Sequence, residues 1–500
     1  MILIDTDDSS FYYDIQSLTG EFFPGEEIKE KEKRETGAPG PRLSISVHFT
    51  DRVVSVSADY WRETGEISDQ GLPKMEKRSQ NGTALIKDID RPEVKNRLKR
   101  VLYDVLSKVT GQTLPWGTLS GIRPTKLVLS RVEEGMPPEE IEKDLYNTYY
   151  LSPEKTDLAI EIAEREHEIL SSVPYKNGWS LYIGIPFCPS ICLYCSFSSY
   201  PIAKYEEKVS AYIKALDHEL AEVAEMTKGH PLTSVYIGGG TPTSLSADQL
   251  SKVLESIHRH FDFSTVAEFT VEAGRPDSIT PEKLRVMKEA DVERISINPQ
   301  TMNDKTLETI GRSHRAADIE RAFGQAREAG FVDINMDVIV GLPGEGRCEL
   351  AHTIAGITKL RPDCLTVHSL ARKRAARLTE EWEKYADTSF ENSEMYMKMF
   401  EHAARAMGMV PYYLYRQKNM AGNLENTGYA LPERPCLYNI LIMEEKQPII
   451  ACGAGGASKY TIDGTKTDRS ENVKDPEEYI KRVDEMIERK REKLKELKWL

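Results

Sequence analysis

The sequence predicts an α/β fold, a partial (β/α)6 barrel with an α+β N-terminal domain before it and a small C-terminal α+β region after it. Three observations predict it. Six short apolar runs alternate with helical stretches from residue 179 onward, the rhythm of a parallel sheet whose chemistry belongs at the C-terminal strand ends. Ahead of them, period-two alternation marks half-wet strands. Beyond about residue 390 the barrel rhythm fades. The expected divisions are 1–172, 173–390 and 391–500, which suits a 500-residue chain at about 150 residues per domain.

The elements follow in order. Residues 24–42 run from Pro24-Gly25 through alternating Glu and Lys to Pro39-Gly40-Pro41 and read as a solvated loop. Leu43-Ser44-Ile45-Ser46-Val47 and Val54-Ser55-Val56-Ser57, with Asp51-Arg52 between, read as a hairpin with one wet face. Residues 92–170 are mostly helical in pattern. The six barrel strands centre on Leu181–Ile185, Val235–Ile237, Glu268–Val271, Arg294–Ile297, Asp333–Ile339 and Leu365–Val367. Val209, Tyr212, Ile213, Leu216, Leu220 and Val223 share one helical face. Ser246-Ala247-Asp248-Gln249 is a capping box, and Thr280-Pro281-Glu282 opens another helix. A helix over about 391–408 leads to Pro411-Tyr412-Tyr413-Leu414-Tyr415. The charged end, from about 476, reads as a helix with a solvated face.

Composition narrows the function. Sixty-six Lys and Arg against 80 Asp and Glu leave a formal charge of −14, which argues against a broad nucleic-acid interface. No apolar run approaches the roughly 18 residues of a membrane span, and no export signal is visible at the start. With few cysteines and no signal, the chain reads as cytoplasmic, where thiols stay reduced.

Three of the seven cysteines, Cys188, Cys192 and Cys195, fall in a C-x3-C-x2-C pattern at the end of the first barrel strand. Three thiolates on one short loop suit a [4Fe-4S] cluster. The missing fourth ligand leaves one iron open to a small chelator such as the amino and carboxylate groups of S-adenosylmethionine. Two other readings stand beside it. Zinc would need a remote fourth ligand such as His167 or His218, and three buried thiols would be coincidence.

The stretch Tyr182-Ile183-Gly184-Ile185-Pro186-Phe187-Cys188 through Cys195 resembles the radical SAM superfamily, and within it the oxygen-independent coproporphyrinogen III oxidases. Further positions follow in the family's order: Gly238-Gly239-Gly240-Thr241-Pro242-Thr243, Glu272, Gln300, Gly311-Arg312-Ser313-His314, and Asp337 before Gly341-Leu342-Pro343-Gly344. The resemblance implies that Cys188, Cys192 and Cys195 bind the cluster. It implies that Tyr182 and Tyr194 line the cofactor, with Gly239, Gly240 and Thr241 holding its amino-acid end. Glu272, Gln300, Arg312 and Asp337 would then hold the ribose, carboxylate and adenosine portions. The N-terminal extension, with Leu114-Pro115-Trp116-Gly117 and Gly121-Ile122-Arg123-Pro124, resembles the longer HemZ-type coproporphyrinogen dehydrogenases.

The family reaction is oxidative decarboxylation of two propionates to vinyls through a 5′-deoxyadenosyl radical. The resemblance thus implies coproporphyrinogen III or a related tetrapyrrole as substrate and an electron donor such as flavodoxin or ferredoxin. A substrate with four carboxylates needs local cations, and Arg372, Lys373, Arg374 and Arg377 supply them; a solvated helix face explains them equally. His368, Tyr412, Tyr413, Tyr415 and Arg416 lie nearby in sequence order. Two departures stand out. Phe197 occupies the place of a fourth cysteine, so that Cys195-Ser196-Phe197-Ser198 resembles the haem-chaperone relatives. The chaperones' downstream His-Asn-x-x-Tyr-Trp motif is met only by Leu437-Tyr438-Asn439-Ile440, without the His and Trp. Besides the decarboxylase, a haem-binding and delivery protein, another radical reaction on a tetrapyrrole, and radical modification of RNA stay open.

Overall fold

A computed structural model describes the chain except residues 32–41, 68–72, 87–89, 122, 372, 374, 386–389, 391, 418–423 and 463–465. It divides into two compact units, Met1–Glu161 with Arg416–Leu424, and Ile162–Tyr415 with Glu425–Leu500.

In the first unit Ile2–Thr6 (β1), Ile28–Glu30 (β2), Leu43–Thr50 (β3), Val53–Ile67 (β4) and Pro73–Leu85 (β5) form a sheet in the order β2-β1-β3-β4-β5. β3 and β4 pair antiparallel, as their alternation predicts, with Thr50 opposite Val53 at the turn. Ile45, Val47, Val54 and Val56 bury their side chains among Leu98, Leu102, Val105 and Leu106 of the helix Arg91–Thr110. At about 25 cal/mol per Å2 of apolar surface, each such residue contributes about 1.5–3 kcal/mol. The stretch 24–42, read as loop, contributes β2, which pairs parallel with β1 because Ile2 N–H and its neighbours find carbonyl partners there. Arg416 belongs to this unit: its guanidinium donates to Glu21 at 2.8 Å and lies over the Trp116 ring.

The second unit is built on six parallel strands: Trp179–Ile185 (β6), Leu232–Gly239, Glu268–Glu272, Arg294–Ser296, Asp333–Val340 and Cys364–Ser369. Two short strands, Phe187–Cys188 (β7) and Tyr200–Pro201 (β8), pair beside β6, so the later five are β9 to β13. Each predicted run sits on its strand, as expected for a partial barrel. Val410–Tyr415 (β14), Asn426–Ala430 (β15), Ile449–Cys452 (β16), Ala457–Ile462 (β17) and Lys466–Glu471 (β18) extend the same sheet to eleven strands, in the order β14-β15-β13-β12-β11-β10-β9-β6-β16-β17-β18. The caps form where the sequence places them. Ser246 and Gln249 make a reciprocal capping box, and Thr280 Oγ1 accepts from Lys283 N–H.

The charged end corrects its reading. The helix Val483–Glu496 buries Val483, Met486, Ile487, Lys490 and Leu494 instead of presenting only a solvated face. Lys490 Nζ donates to Glu219 Oε1 at 2.7 Å and to Asn472 Oδ1 at 2.6 Å, and Glu219 also accepts from Tyr479 O–H and Gly453 N–H. A buried lysine is tolerated here because its charge and donors are met. Among the described residues no helix is long and apolar enough to cross a membrane.

Candidate functional site

The site lies wholly in the second unit, at the C-terminal ends of the parallel strands. Strand side chains alternate between faces, so residues two apart share one. On the inner face Tyr182 (β6) stacks with Tyr236 (β9), whose hydroxyl donates to Glu272 (β10) at 2.6 Å. Asn335 and Asp337 (β12) follow, with Thr366 and His368 (β13) against them. The face is polar where a closed barrel would be aliphatic, which suits a ligand rather than a packed core.

The cysteine loop hangs from β7. Cys188 Sγ lies 3.4 Å from Thr241 Oγ1. Cys192 is buried, with Arg275 Nη1 3.6 Å from its sulfur. Arg275 also bonds Ser190 Oγ and grips Asp277 through two contacts, at 2.9 and 2.7 Å. Arg312 donates to Tyr194 O–H at 3.2 Å and to the Asn298 carbonyl. Burial pushes Cys188 up to about 11 and raises Cys195 as well, whereas Cys192 is held below its ordinary value because Arg312 and Arg275 outweigh its burial. All seven cysteines are unpaired thiols. Binding iron to this loop would release the protons that its thiols carry.

The glycine turn after β9 is shaped by close approach. A Cβ on Gly240 would stand 2.5 Å from Phe187 O, and one on Gly238 would stand 2.9 Å from the Glu272 carboxyl carbon. Gly239 has φ 103°, a conformation natural to glycine. Gly240 N–H and Thr241 N–H donate to Ile185 O and Phe187 O, both at 2.7 Å, tying the turn to the strand that carries the cysteines. Gln300 takes φ 67°, a left-handed backbone that costs a non-glycine residue about 1–2 kcal/mol. Its N–H donates to Asp337 O and its carbonyl accepts from Ile339 N–H.

The sequence-predicted cysteines, glycine turn, Glu272, Gln300, Arg312 and Asp337 thus lie on the C-terminal side of successive parallel strands. Lys373 Nζ lies 5.4 Å above the exposed Phe197 ring, close enough to Cys195 for their charges to interact. Arg377 is half-exposed and pairs with Glu381 at 3.1 Å, while Arg372 and Arg374 lie outside the described residues. Tyr412 and Tyr413 are buried in the sheet. Sequence reasoning missed Arg275 and Asn298, whose strand-end positions just after β10 and β11 were their only signal.

The Radical SAM superfamily model matches residues 182–355. The chain is 40 % identical over 456 residues to the oxygen-independent coproporphyrinogen-III oxidase-like protein HemZ of Bacillus subtilis, covering 90 % of this chain and 89 % of HemZ. The chain belongs to the HemZ/HemN-like coproporphyrinogen oxidase family of the radical SAM superfamily. It is also 43 % identical over 192 residues to the heme chaperone HemW of Bacillus subtilis, but across only 38 % of this chain and 50 % of HemW. Coproporphyrinogen III oxidase (HemN) from Escherichia coli has the same fold, at a TM-score of 0.50 and 21 % identity over 64 % of this chain and 73 % of that one.

Radical SAM proteins use a [4Fe-4S] cluster and S-adenosylmethionine, and the residues present fit both. Among the described residues no three His, Cys, Asp or Glu side chains form a site for a metal ion, but cubane thiolates each bind a separate iron and need not converge on one point. Gln300 Oε1 and Arg312 Nε are buried without a protein hydrogen-bond partner, an arrangement that a polar ligand would relieve.

Glu272 gives a pH prediction. Burial, with the Asp337 charge adding, pushes its carboxyl up to about 7 against the donors Tyr236 and Gly239 N–H. Its ordinary value is 4.5, so between about 4.5 and 7 the folded chain holds a proton that the unfolded chain has released. Stability therefore falls as pH rises through that window. Apoprotein carrying Glu272→Gln should melt above wild type at pH 8 and level with it at pH 5; an equal offset at both would contradict the assignment.

Proposed function

We propose that the chain catalyses oxygen-independent oxidative decarboxylation of coproporphyrinogen III propionates to vinyls, forming protoporphyrinogen IX for haem biosynthesis. It would work in the cytoplasm with an electron donor such as flavodoxin or ferredoxin. The observation that carries this reading is similarity to HemZ over nine-tenths of the chain.

Cys188, Cys192 and Cys195 hold the cluster, with Arg275 and Arg312 partly neutralising the Cys192 thiolate. Gly239, Gly240 and Thr241 take the amino-acid end of S-adenosylmethionine, and Glu272, Gln300, Arg312 and Asp337 its carboxylate, ribose and adenosine portions, with the Arg312 cation on the carboxylate and Asp337 on the nucleoside. Tyr182 and Tyr194 wall the pocket. When bound, cluster and S-adenosylmethionine supply one-electron chemistry that removes a hydrogen atom from a propionate side chain. Lys373, with Arg372, Arg374 and Arg377, neutralises substrate carboxylates that an acidic protein would otherwise repel.

A second reading, haem binding and delivery, is favoured by the HemW similarity and by Phe197. Against it, Leu437-Tyr438-Asn439-Ile440, the nearest match to the chaperones' haem motif, packs in the core: Tyr438 is buried with its ring 4.4 Å from Tyr236, and Asn439 donates to Tyr412 O–H at 3.2 Å. The test is an anaerobic incubation of reconstituted protein with S-adenosylmethionine, a reductant and coproporphyrinogen III, followed by mass spectrometry. The expected result is two successive losses of CO2 with formation of 5′-deoxyadenosine. Stoichiometric haem uptake without any decarboxylated product would favour the chaperone.

A further inference from the structure

Asp337, His368 and Tyr415 form a chain of polar contacts across the barrel mouth. His368 Nε2 lies 3.6 Å from Asp337 Oδ2, and Tyr415 O–H lies 3.3 Å from His368 Nδ1. Asn335 Nδ2 donates to the other carboxylate oxygen, Asp337 Oδ1, at 2.8 Å. Tyr415 is on β14, and β15 lies between it and β13. On β15 the Tyr413 ring packs over Gly428, where a Cβ would stand 1.9 Å from it.

The contacts admit one neutral tautomer. A carboxylate only accepts, so the nitrogen facing Asp337 carries the proton. Nδ1 is then an acceptor, and the Tyr415 hydroxyl meets it as donor. Asp337 itself is held below its ordinary value although burial raises it, the His368 hydrogen bond leading the opposing causes. Asn335 and His368 thus flank the two carboxylate oxygens, the first within hydrogen-bond distance and the second at 3.6 Å. Such a group is organised before its ligand arrives, which lowers the entropy lost on binding.

We infer that His368 is a positioning residue for the nucleoside end of S-adenosylmethionine: its Nε2–H, fixed in that tautomer by Tyr415, holds the Asp337 carboxylate in one orientation for the ribose hydroxyls. This rests on the assignment of Asp337 to the nucleoside, and it is independent of which tetrapyrrole is the substrate.

The test is equilibrium dialysis of anaerobically reconstituted protein against labelled S-adenosylmethionine, 5′-deoxyadenosine and methionine, without tetrapyrrole. His368→Phe should weaken S-adenosylmethionine and 5′-deoxyadenosine about tenfold, the effect of losing one charge-assisted hydrogen bond, and leave methionine unchanged. His368→Gln, whose amide nitrogen falls where Nε2 stood, should restore most of the affinity; His368→Asn, which replaces only Nδ1, should not. Unchanged affinity in His368→Phe, rescue by Asn rather than Gln, or an equal loss for methionine would overturn the role. Should Asp337→Asn leave S-adenosylmethionine affinity unchanged as well, the nucleoside assignment fails along with it. The Gln and Asn pair keeps the test decisive if the Phe variant does not fold.

Discussion

Cys192→Ala protein is expected to lose the visible absorbance of its cluster and all S-adenosylmethionine cleavage while keeping its fold. Cys192 is the cysteine of the loop with two arginines against it, Arg275 at 3.6 Å and Arg312. Its thiolate is therefore less disfavoured than those of Cys188 and Cys195, which burial raises. Removing it leaves two thiols for a cluster that the loop grips through three. It also removes the sulfur that Arg312 and Arg275 face, leaving Arg275 with Asp277 alone as its anion. Iron and sulfide analysis after anaerobic reconstitution checks this; wild-type iron content in the variant would refute the ligand assignment. Cys348→Ala is the natural control, since that thiol is exposed on a helix of the barrel's outer layer.

Lys490→Met should destabilise the second unit by about 3 kcal/mol, the usual cost of leaving a buried charge without its partner. Glu219 and Lys490 are both essentially inaccessible, and the carboxylate keeps only neutral donors, Tyr479, Asn472 and Gly453 N–H, once the ammonium is gone. The effect should reach the site. Glu219 holds the Gly453 backbone, and the adjoining Tyr212 hydroxyl bridges Ala454 N–H and Gly184 O of β6, the strand that leads into the cysteine loop. Denaturation followed by tryptophan fluorescence reads the loss. The double variant Glu219→Gln/Lys490→Met should recover most of it, because no isolated charge then remains. A loss under about 1 kcal/mol in the single variant would mean that the pair is solvated.

The same pair shows where sequence reading stopped. Glu219 and Lys490 lie 271 residues apart, and nothing local distinguishes a lysine that will be buried from its solvated neighbours on a charged helix. The barrel strands were legible because burial on a parallel sheet forces short apolar runs, and the caps because their chemistry is local to four residues. The cysteines, the glycine turn, Glu272, Gln300, Arg312 and Asp337 were legible as an order of motifs, which the sheet carries on the C-terminal side of successive strands. Arg275, which grips the loop through Ser190 and Cys192, had no motif of its own. His368 and Tyr415 were visible as residues but not as partners, since β15 comes between their strands in the sheet while following both in sequence. The strained Gln300 backbone was invisible for a simpler reason: glutamine carries no preference for a left-handed φ.

The most direct measurement of the central claim is the low-temperature electron paramagnetic resonance spectrum of the reduced, anaerobically reconstituted protein before and after S-adenosylmethionine is added. A spin-half iron–sulfur signal whose g values move on addition is the predicted result, because the ligand then occupies the iron that the three thiolates leave open. Protein that holds no iron and sulfide, or a signal indifferent to S-adenosylmethionine, would contradict it.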